Sequence, residues 1–317
     1  MQILLTGGSS LTGMWFAEEL ACAGHSVTAV LTRSNAASYT EEPRNRRVER
    51  LLGSAEPLWN CRFGDDGFLA ALDSSRFDVL CHHGADVTNY KSPDFKPVPA
   101  LAANTDNIVG VLNVLGKRPL VLSGSVFERG EGVSSGSGDA VSPYGLSKWL
   151  TSELVRFYAA KHGVPLGKFV IPNPFGPFEE ARFTRYMIRE WFAGKAPNVS
   201  TPLYVRDNIP VSLLAKAYRV FVERCAANAA NKGLVEMLRL NPSGYVESQG
   251  TFAERLATEL RPRLNLPCEF QLGTQTDFSE PMLRVNTDNA RLLCPEWSEA
   301  QAWDEFAAYY QSQRQSF

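Results

Sequence analysis

This 317-residue chain has no excess of either charge, no long apolar run and no paired cysteine spacing. Its 32 Lys and Arg are balanced by 34 Asp and Glu, for a formal net charge of −2. No basic stripe is available to hold a nucleic-acid backbone, and there is no acidic tail, so neither a chromatin nor an RNA role is expected. Apolar runs such as 109–115 are far too short to cross a bilayer. The opening MQILLTGG lacks a basic leader, an apolar core and a small-residue cleavage site. The expectation is a cytoplasmic protein with no membrane partner. Cys22, Cys61, Cys81, Cys225, Cys268 and Cys294 are scattered without a CxxC, which reads as small buried hydrophobes in a reducing compartment. His82 and His83 are adjacent and have no cysteine at ligand spacing, so no metal site is expected. What the chain does have is 44% apolar residues, enough at this length to bury a sizeable core.

The first half alternates short apolar runs with helical stretches. Residues 3–5 and 27–31 read as the first two strands, with an amphipathic helix over 11–23 that stops at Gly24. A polar, Arg- and Glu-rich stretch fills 33–50. A third strand is expected near 59–63, a helix at 67–72, and further strands at 77–81, 119–122 and 166–171. Nearly continuous apolar strands separated by helices predict an α/β fold, a Rossmann-type doubly wound parallel sheet covered on both faces. Past residue 172 proline thickens and the rhythm breaks. The expected organisation is a dinucleotide-binding domain over 1–172 and a smaller mixed α/β substrate-binding region over 173–317, with a segment near 205–230 returning to the first. The Ser/Gly run 130–138 reads as a loop between core elements, with room for a lid. Ser298 and Gln301 form a capping box for a helix that places Trp303, Phe306, Ala307 and Tyr310 on one face.

Thr6-Gly7-Gly8-Ser9-Ser10-Leu11-Thr12-Gly13 lies between the first strand and the first helix. Glycines there allow a tight turn and close approach of a pyrophosphate, and the helix N-terminus offers orphan N–H donors. Beyond the second strand, a carboxylate would bind the 2′-hydroxyl of NAD and an arginine the 2′-phosphate of NADP. The chain has Leu31-Thr32-Arg33-Ser34, with no acid, so NADP(H) is the expected cofactor and NAD(H) the alternative. If Arg33 is only a solvated surface charge, that preference lapses.

Tyr144-Gly145-Leu146-Ser147-Lys148 carries the chemistry. Ser142 and Pro143 suit the N-cap and first helical positions, and Leu150, Leu154 and Phe157 follow at helical spacing. Tyr144 and Lys148 therefore share one helix face. A nearby ammonium, helped by the positive charge of an oxidised nicotinamide, should lower the pKa of the phenol, fitting it to exchange a proton with a substrate oxygen. The fifth strand ends at Leu122-Ser123-Gly124-Ser125-Val126-Phe127, where ligands meet a doubly wound sheet. Ser123 could bond the same oxygen, although Ser123 and Ser125 could instead serve the turn.

With these segments the chain resembles the extended short-chain dehydrogenase/reductases, particularly the epimerases, dehydratases and reductases that modify nucleotide sugars. The resemblance runs almost the whole length. The family's TGxxGxxG pattern matches Thr6 to Gly13 with Ser10 in place of the middle glycine, which implies cofactor contacts at Gly7, Ser10, Leu11 and Gly13. A His-x-Ala-Ala pattern is similar to His83-Gly84-Ala85-Asp86, and the family's Asn falls on Asn104. By resemblance Ser123, Tyr144 and Lys148 are the catalytic residues, Lys148 also bonds the nicotinamide ribose, Asp65 lies by the adenine, and Ala85 borders the cofactor. Pro172-Asn173-Pro174-Phe175-Gly176-Pro177 resembles the N-x-Y-G-P segment beside the nicotinamide, although its upstream arginine is replaced by Val170 and Ile171. Arg206-Asp207-Asn208-Ile209-Pro210-Val211 resembles the segment whose arginine approaches the substrate diphosphate, a task suited to a planar fork; a salt bridge to Asp207 or a neighbour is the competing role. Arg284 is a candidate second phosphate arginine. Ser125 and Asn173 complete the implied substrate contacts. The resemblance also implies a homodimer through the helices carrying Asn104 and Tyr144.

Dehydratases of the family carry Asp-Glu after the Ser/Thr, where this chain has Gly124 and Ser125, so dehydration is not expected. Arg33 and the altered glycine turn point to NADPH-dependent reduction of a 4-keto-6-deoxy sugar nucleotide. An epimerase that recycles its bound cofactor is the alternative. A reductase of carbonyls outside the nucleotide sugars and a non-catalytic cofactor sensor are further readings.

Overall fold

Strands covered on both faces need no polar alternation, and residues 3–5 and 79–81 are buried throughout. In the computed structural model, which describes residues 1–74, 76–232 and 237–316, they lie in a seven-stranded sheet. Its strands, numbered along the chain, are β1 Gln2–Thr6, β2 Ser26–Val30, β3 Glu56–Leu58, β4 Val79–His82, β5 Leu120–Ser125, β6 Leu166–Ile171 and β7 Leu238–Leu240. All are parallel, in the order 3-2-1-4-5-6-7. The Leu11–Cys22 and Val211–Lys232 helices pack on one face, over Ile3, Leu5, Val79 and Cys81. The Ile108–Leu115 and Pro143–His162 helices cover the other, over Leu4, Leu80, Leu120 and Leu122. The sheet is thus the expected doubly wound one. Its topological switch lies between β1 and β4, where the carboxyl ends of the strands open a crevice for ligands.

A second sheet joins Tyr245–Ser248, Val205–Pro210, Leu283–Val285 and Val133–Ser134, with Asn173–Phe175 paired to Val205–Pro210. Beside it a third core gathers Phe175, Trp191, Phe252, Trp303, Phe306 and Tyr310. The last three of these lie on the Glu299–Ser312 helix, whose N-cap Ser298 accepts from the Gln301 N–H.

Four local expectations are corrected. The third strand is Glu56–Leu58 rather than 59–63, because Asn60 turns into the left-handed region (φ 51°) and ends the extended run. The polar stretch 33–50 contains the Arg44–Leu51 helix, which buries only Arg47, Val48 and Leu51. The 130–138 run is more than a loop, since Val133–Ser134 pairs with Leu283–Val285. Five cysteines are buried and all six are free thiols, but Cys22 is exposed. Among the described residues no helix is long and apolar enough to cross a membrane, and no group of three or more His, Cys, Asp or Glu is placed to hold a metal ion.

Candidate active site

The turn after β1 closes on itself. Gly7 has φ +75°, and a Cβ there would stand 2.8 Å from the Gly84 Cα, so only glycine lets the two backbones meet. Ser10 caps the Leu11–Cys22 helix by accepting from the Gly13 N–H at 3.0 Å, and it donates to the Gly7 carbonyl at 2.9 Å. Among the described residues the N–H groups of Leu11 and Thr12 pair with no acceptor. A bare backbone cradle at a helix N-terminus fits the pyrophosphate of a dinucleotide. The residue packed on this turn is Gly84. His82, two residues before it, is stacked on Phe63 and bonded to Thr6 Oγ1 at 3.0 Å and to the Asn104 carbonyl at 2.9 Å. Ala85, next to Gly84, is half-buried.

Asn104 is buried and accepts from the Asp86 N–H at 2.8 Å while donating to Thr151 Oγ1 at 3.3 Å, tying the segment after β4 to the Pro143–His162 helix. Asp65 uses both carboxylate oxygens locally, accepting from the N–H groups of Arg62 at 2.8 Å and Phe68 at 2.7 Å. Arg33 is not a free cation. It donates to Glu41 at 2.7 Å and to the Ser38 carbonyl, and it lies over the Tyr39 ring.

Ser142 accepts from the Gly145 N–H and Pro143 takes the first helical position, which starts the helix that projects Tyr144 and Lys148. Lys148 is only 5% exposed and donates to the Ser123 carbonyl at 2.6 Å. Burial pushes its pKa down to about 8; Glu128 opposes the shift and Lys168 adds to it. The Tyr144 ring meets Tyr90, Phe95 and Phe127 edge-on. The expected lowering joins the ammonium to the charge of an oxidised nicotinamide; the chain's own groups act the other way on this phenol. Burial raises its pKa, Glu128 and Tyr90 push the same way, and only Arg182 opposes. The Ser123 hydroxyl lies 2.9 Å from His83 Nδ1.

Behind these residues is a cluster that the sequence reading missed. Lys168 lies 2.6 Å from both Glu128 and Glu131, all three buried. Glu128 also accepts from the Ser125 N–H at 2.7 Å and from the Ser152 hydroxyl at 2.8 Å. Ser125 is thereby held in the turn, and its Oγ accepts from the Phe127 N–H. A lysine inside the apolar strand 166–171 was the available signal, because a buried ammonium demands carboxylates. A Cβ on Gly124 would stand 2.7 Å from Lys168 Cε and 3.0 Å from Glu128. A side chain at the position where a dehydratase carries its acid would therefore have to displace Lys168 or Glu128.

Arg206 and Arg284 are direct neighbours across the pairing of Val205–Pro210 with Leu283–Val285. Arg206 does not bridge to Asp207, which instead accepts from the N–H groups of Gly244 and Asn286. Both arginines share Glu280, at 3.0 and 3.3 Å. The Arg284 guanidinium lies 3.8 Å over Phe127, which in turn packs on Tyr144. Its Nε and Nη1 are buried without a partner, and burial and Arg206 push its pKa down to about 10. Asn173 donates to the Asp207 carbonyl at 3.4 Å, next to Pro172 at the end of β6. The structure thus joins Ser123, Lys148, Tyr144, Arg284 and Arg206 into one region, while Arg33 and Asp65 serve their own turns.

A family model described as the NAD dependent epimerase/dehydratase family matches residues 3–234. No curated protein matches the chain in sequence. Among solved structures the fold is similar to that of UDP-glucose 4-epimerase from Thermotoga maritima with UDP-glucose, at 18% identity over 99% of each chain and a TM-score of 0.71. It is likewise similar to UDP-glucose-4-epimerase from Stenotrophomonas maltophila with NAD and formylated UDP-arabinopyranose, at 18% identity over 100% of this chain and 98% of that one, TM-score 0.71. A third is UDP-glucuronic acid 4-epimerase from Bacillus cereus with UDP-glucuronic acid and NAD, at 15% identity over 98% of this chain and 99% of that one, TM-score 0.71. At these identities the likeness is one of fold.

Proposed function

The chain belongs to the NAD-dependent epimerase/dehydratase family and is an enzyme of the extended short-chain dehydrogenase/reductase type; on that premise we propose that it epimerises a nucleotide-diphosphate sugar and keeps NAD bound through turnover. The observation that carries this reading is the meeting of Tyr144, through Phe127, with a buried arginine pair of which Arg284 retains two unpaired nitrogens. Two guanidinium forks side by side suit the adjacent phosphates of a diphosphate. The structural neighbours whose substrates are named act on UDP-sugars, which favours epimerisation over the reduction suggested by Arg33 alone.

Bound NAD would supply a hydride acceptor and then a donor, together with a positive charge that favours the Tyr144 phenolate. The chain's own residues do the rest. The Leu11 and Thr12 N–H groups would hold the NAD pyrophosphate. Lys148, held against the Ser123 carbonyl, would bond the nicotinamide ribose. Tyr144 moves the proton on the reacting sugar oxygen, and Ser123 bonds that same oxygen. Glu41 stands against Arg33 where a 2′-phosphate would need a free cation, so NAD is preferred over NADP. A homodimer through the Pro97–Asn104 and Pro143–His162 helices is part of this proposal, with Val98 and Phe157 exposed on them.

The test is stoichiometry. With UDP-sugars, an epimerase interconverts the two stereoisomers with no net change at the nicotinamide absorbance band. Consumption of one NADPH per product would establish a reductase instead.

A further inference from the structure

Two buried carboxylates, Glu128 and Glu131, stand against one buried ammonium, that of Lys168, at 2.6 Å from each. Arg239 reaches Glu131 at 3.0 Å but is half-exposed. The cluster therefore holds one more buried negative charge than positive. Lys148 is the converse case, a buried ammonium bonded to the main-chain oxygen of Ser123 and without an ion pair of its own among the described residues. A buried ammonium with no counter-charge sheds its proton. The two halves meet at Gly124. Lys148 donates to the carbonyl just before this residue, and Glu128 Oε1 accepts from the N–H just after it, that of Ser125. A Cβ on Gly124 would stand 3.0 Å from Glu128 Oε1, so the carboxylate lies against the same short piece of backbone. Glu128 Oε2 accepts from the hydroxyl of Ser152, one turn beyond Lys148 on the same helix face.

We propose that Glu128 is a positioning residue that supplies the buried counter-charge of Lys148, keeping the lysine an ammonium beside the Ser123 carbonyl without bonding to it. A carboxylate in direct contact would occupy Nζ hydrogens that the ribose needs. Glu128 is instead held by Ser125, Ser152 and Lys168, and acts through its charge alone. The other groups that face Lys148 do not replace it. Burial works against the ammonium, Glu128 supports it and Lys168 opposes it. His82 and His83, at and just past the end of β4, are held by burial down to about 4 and about 3, so they are uncharged near neutrality. Glu128 also faces Tyr144, where burial, Glu128 and Tyr90 resist the phenolate and Arg182 favours it. The inference rests on the reading of Lys148 as the partner of Tyr144 and of the ribose.

The direct test is a 13C NMR titration of protein labelled at the lysine Cε, with the Lys148 signal assigned by its loss in Lys148→Met. Glu128→Gln keeps the shape and removes the charge, and should bring the Lys148 midpoint down from about 8 by about one pH unit. Lys168→Met should raise the midpoint, and the double variant should return it close to that of the parent. An unmoved or raised midpoint in folded Glu128→Gln overturns the proposal. Should that variant not fold, an unmoved or lowered midpoint in Lys168→Met does the same. In turnover of UDP-sugars, both limbs of the pH–rate profile of Glu128→Gln should move to lower pH, because losing one negative charge lowers the pKa of Lys148 and of Tyr144 alike. A slower enzyme with both limbs in place overturns the positioning role. The titration is read without substrate, so a parent that turns over no UDP-sugar tells against the epimerase reading alone.

Discussion

The Lys148 ammonium lies 2.6 Å from the main-chain oxygen of Ser123, so the helix that carries the tyrosine is bolted to the end of β5 by a buried charge. That charge opposes folding. The pKa of Lys148 is about 8 against an ordinary 10.5, and the native state binds this proton less tightly than the unfolded chain does. The penalty is fully present below about pH 8 and is relieved as pH rises from there toward 10.5. Lys148→Met should therefore remove this pH slope and raise the melting temperature near neutrality, while turnover falls by about a hundredfold or more. Calorimetry across pH, set beside steady-state rates, checks both directions. A lower melting temperature would mean that the bond to Ser123 outweighs desolvation.

The buried ion cluster behind the site should respond in the opposite sense. Removing Lys168 leaves the Glu128 and Glu131 carboxylates buried, with Arg239 and Asn241 as the remaining partners of Glu131 among the described residues. Lys168→Met is expected to cost about 3–5 kcal/mol. Adding Glu128→Gln should return a large part of that, because the orphaned charge disappears with it. Urea unfolding of the parent, both single variants and the double variant gives the coupling energy; strict additivity would show that the pair does not interact.

How much could be read without coordinates depended on the range of the interactions. Strands 3–5, 77–81 and 166–171 were visible because burial on both faces writes itself into a local apolar run. The Tyr144–Lys148 spacing was visible because helical periodicity is local. Val133–Ser134 and Leu238–Leu240 left no such trace, being two- and three-residue pieces that gain their pairing from partners far along the chain. The same holds in the site. His83 finds its partners in Ser10, Thr12 and Ser123, and Glu280 finds Arg206, none of them near in sequence. The Arg33–Glu41 contact was hidden for the converse reason, since Glu41 was in plain view but the turn that brings the two together was not.

Glu179 offers a pH test away from the site. Its Oε1 accepts from Thr184 at 2.5 Å and from Tyr310 at 2.6 Å, its Oε2 is buried without a partner, and burial pushes its pKa up to about 7 from 4.5. A raised carboxylate binds its proton more tightly in the native state. Stability from this group is therefore present below about 4.5 and is lost as pH rises through about 7. The change is at most roughly 3 kcal/mol at 1.36 kcal/mol per unit. Glu179→Gln should flatten the unfolding free energy over that window; an unchanged slope would assign the pH dependence to other groups.

Cofactor choice turns on the Arg33–Glu41 pair. With Arg33 already bonded, Arg33→Ala should change the ratio of NADH to NADPH dissociation constants by no more than about threefold, the scale of an exposed ion pair. Glu41→Gln should improve NADPH binding by freeing the guanidinium. Isothermal titration of both reduced cofactors against the three proteins decides the matter. A strong loss of NADPH affinity in Arg33→Ala would restore the 2′-phosphate role.

Arg206 and Arg284 bear on the substrate. Two guanidinium groups lying side by side and mostly buried repel one another, and Glu280 is the carboxylate that offsets this by bonding to both. A diphosphate reaching the pair must compete with that carboxylate, which is half-exposed and can yield to solvent. Glu280→Gln keeps an acceptor oxygen but removes the charge. It should therefore tighten UDP binding several-fold, destabilise the unliganded protein, and make its melting temperature more responsive to added UDP. Arg284→Met should weaken UDP binding by about 2–5 kcal/mol, the range for losing one partner of a buried charged contact, while leaving NAD affinity unchanged. Thermal shift and calorimetric titration with UDP read both variants. If Glu280→Gln leaves UDP affinity where it was, the carboxylate does not compete for the arginines, and the diphosphate binds elsewhere.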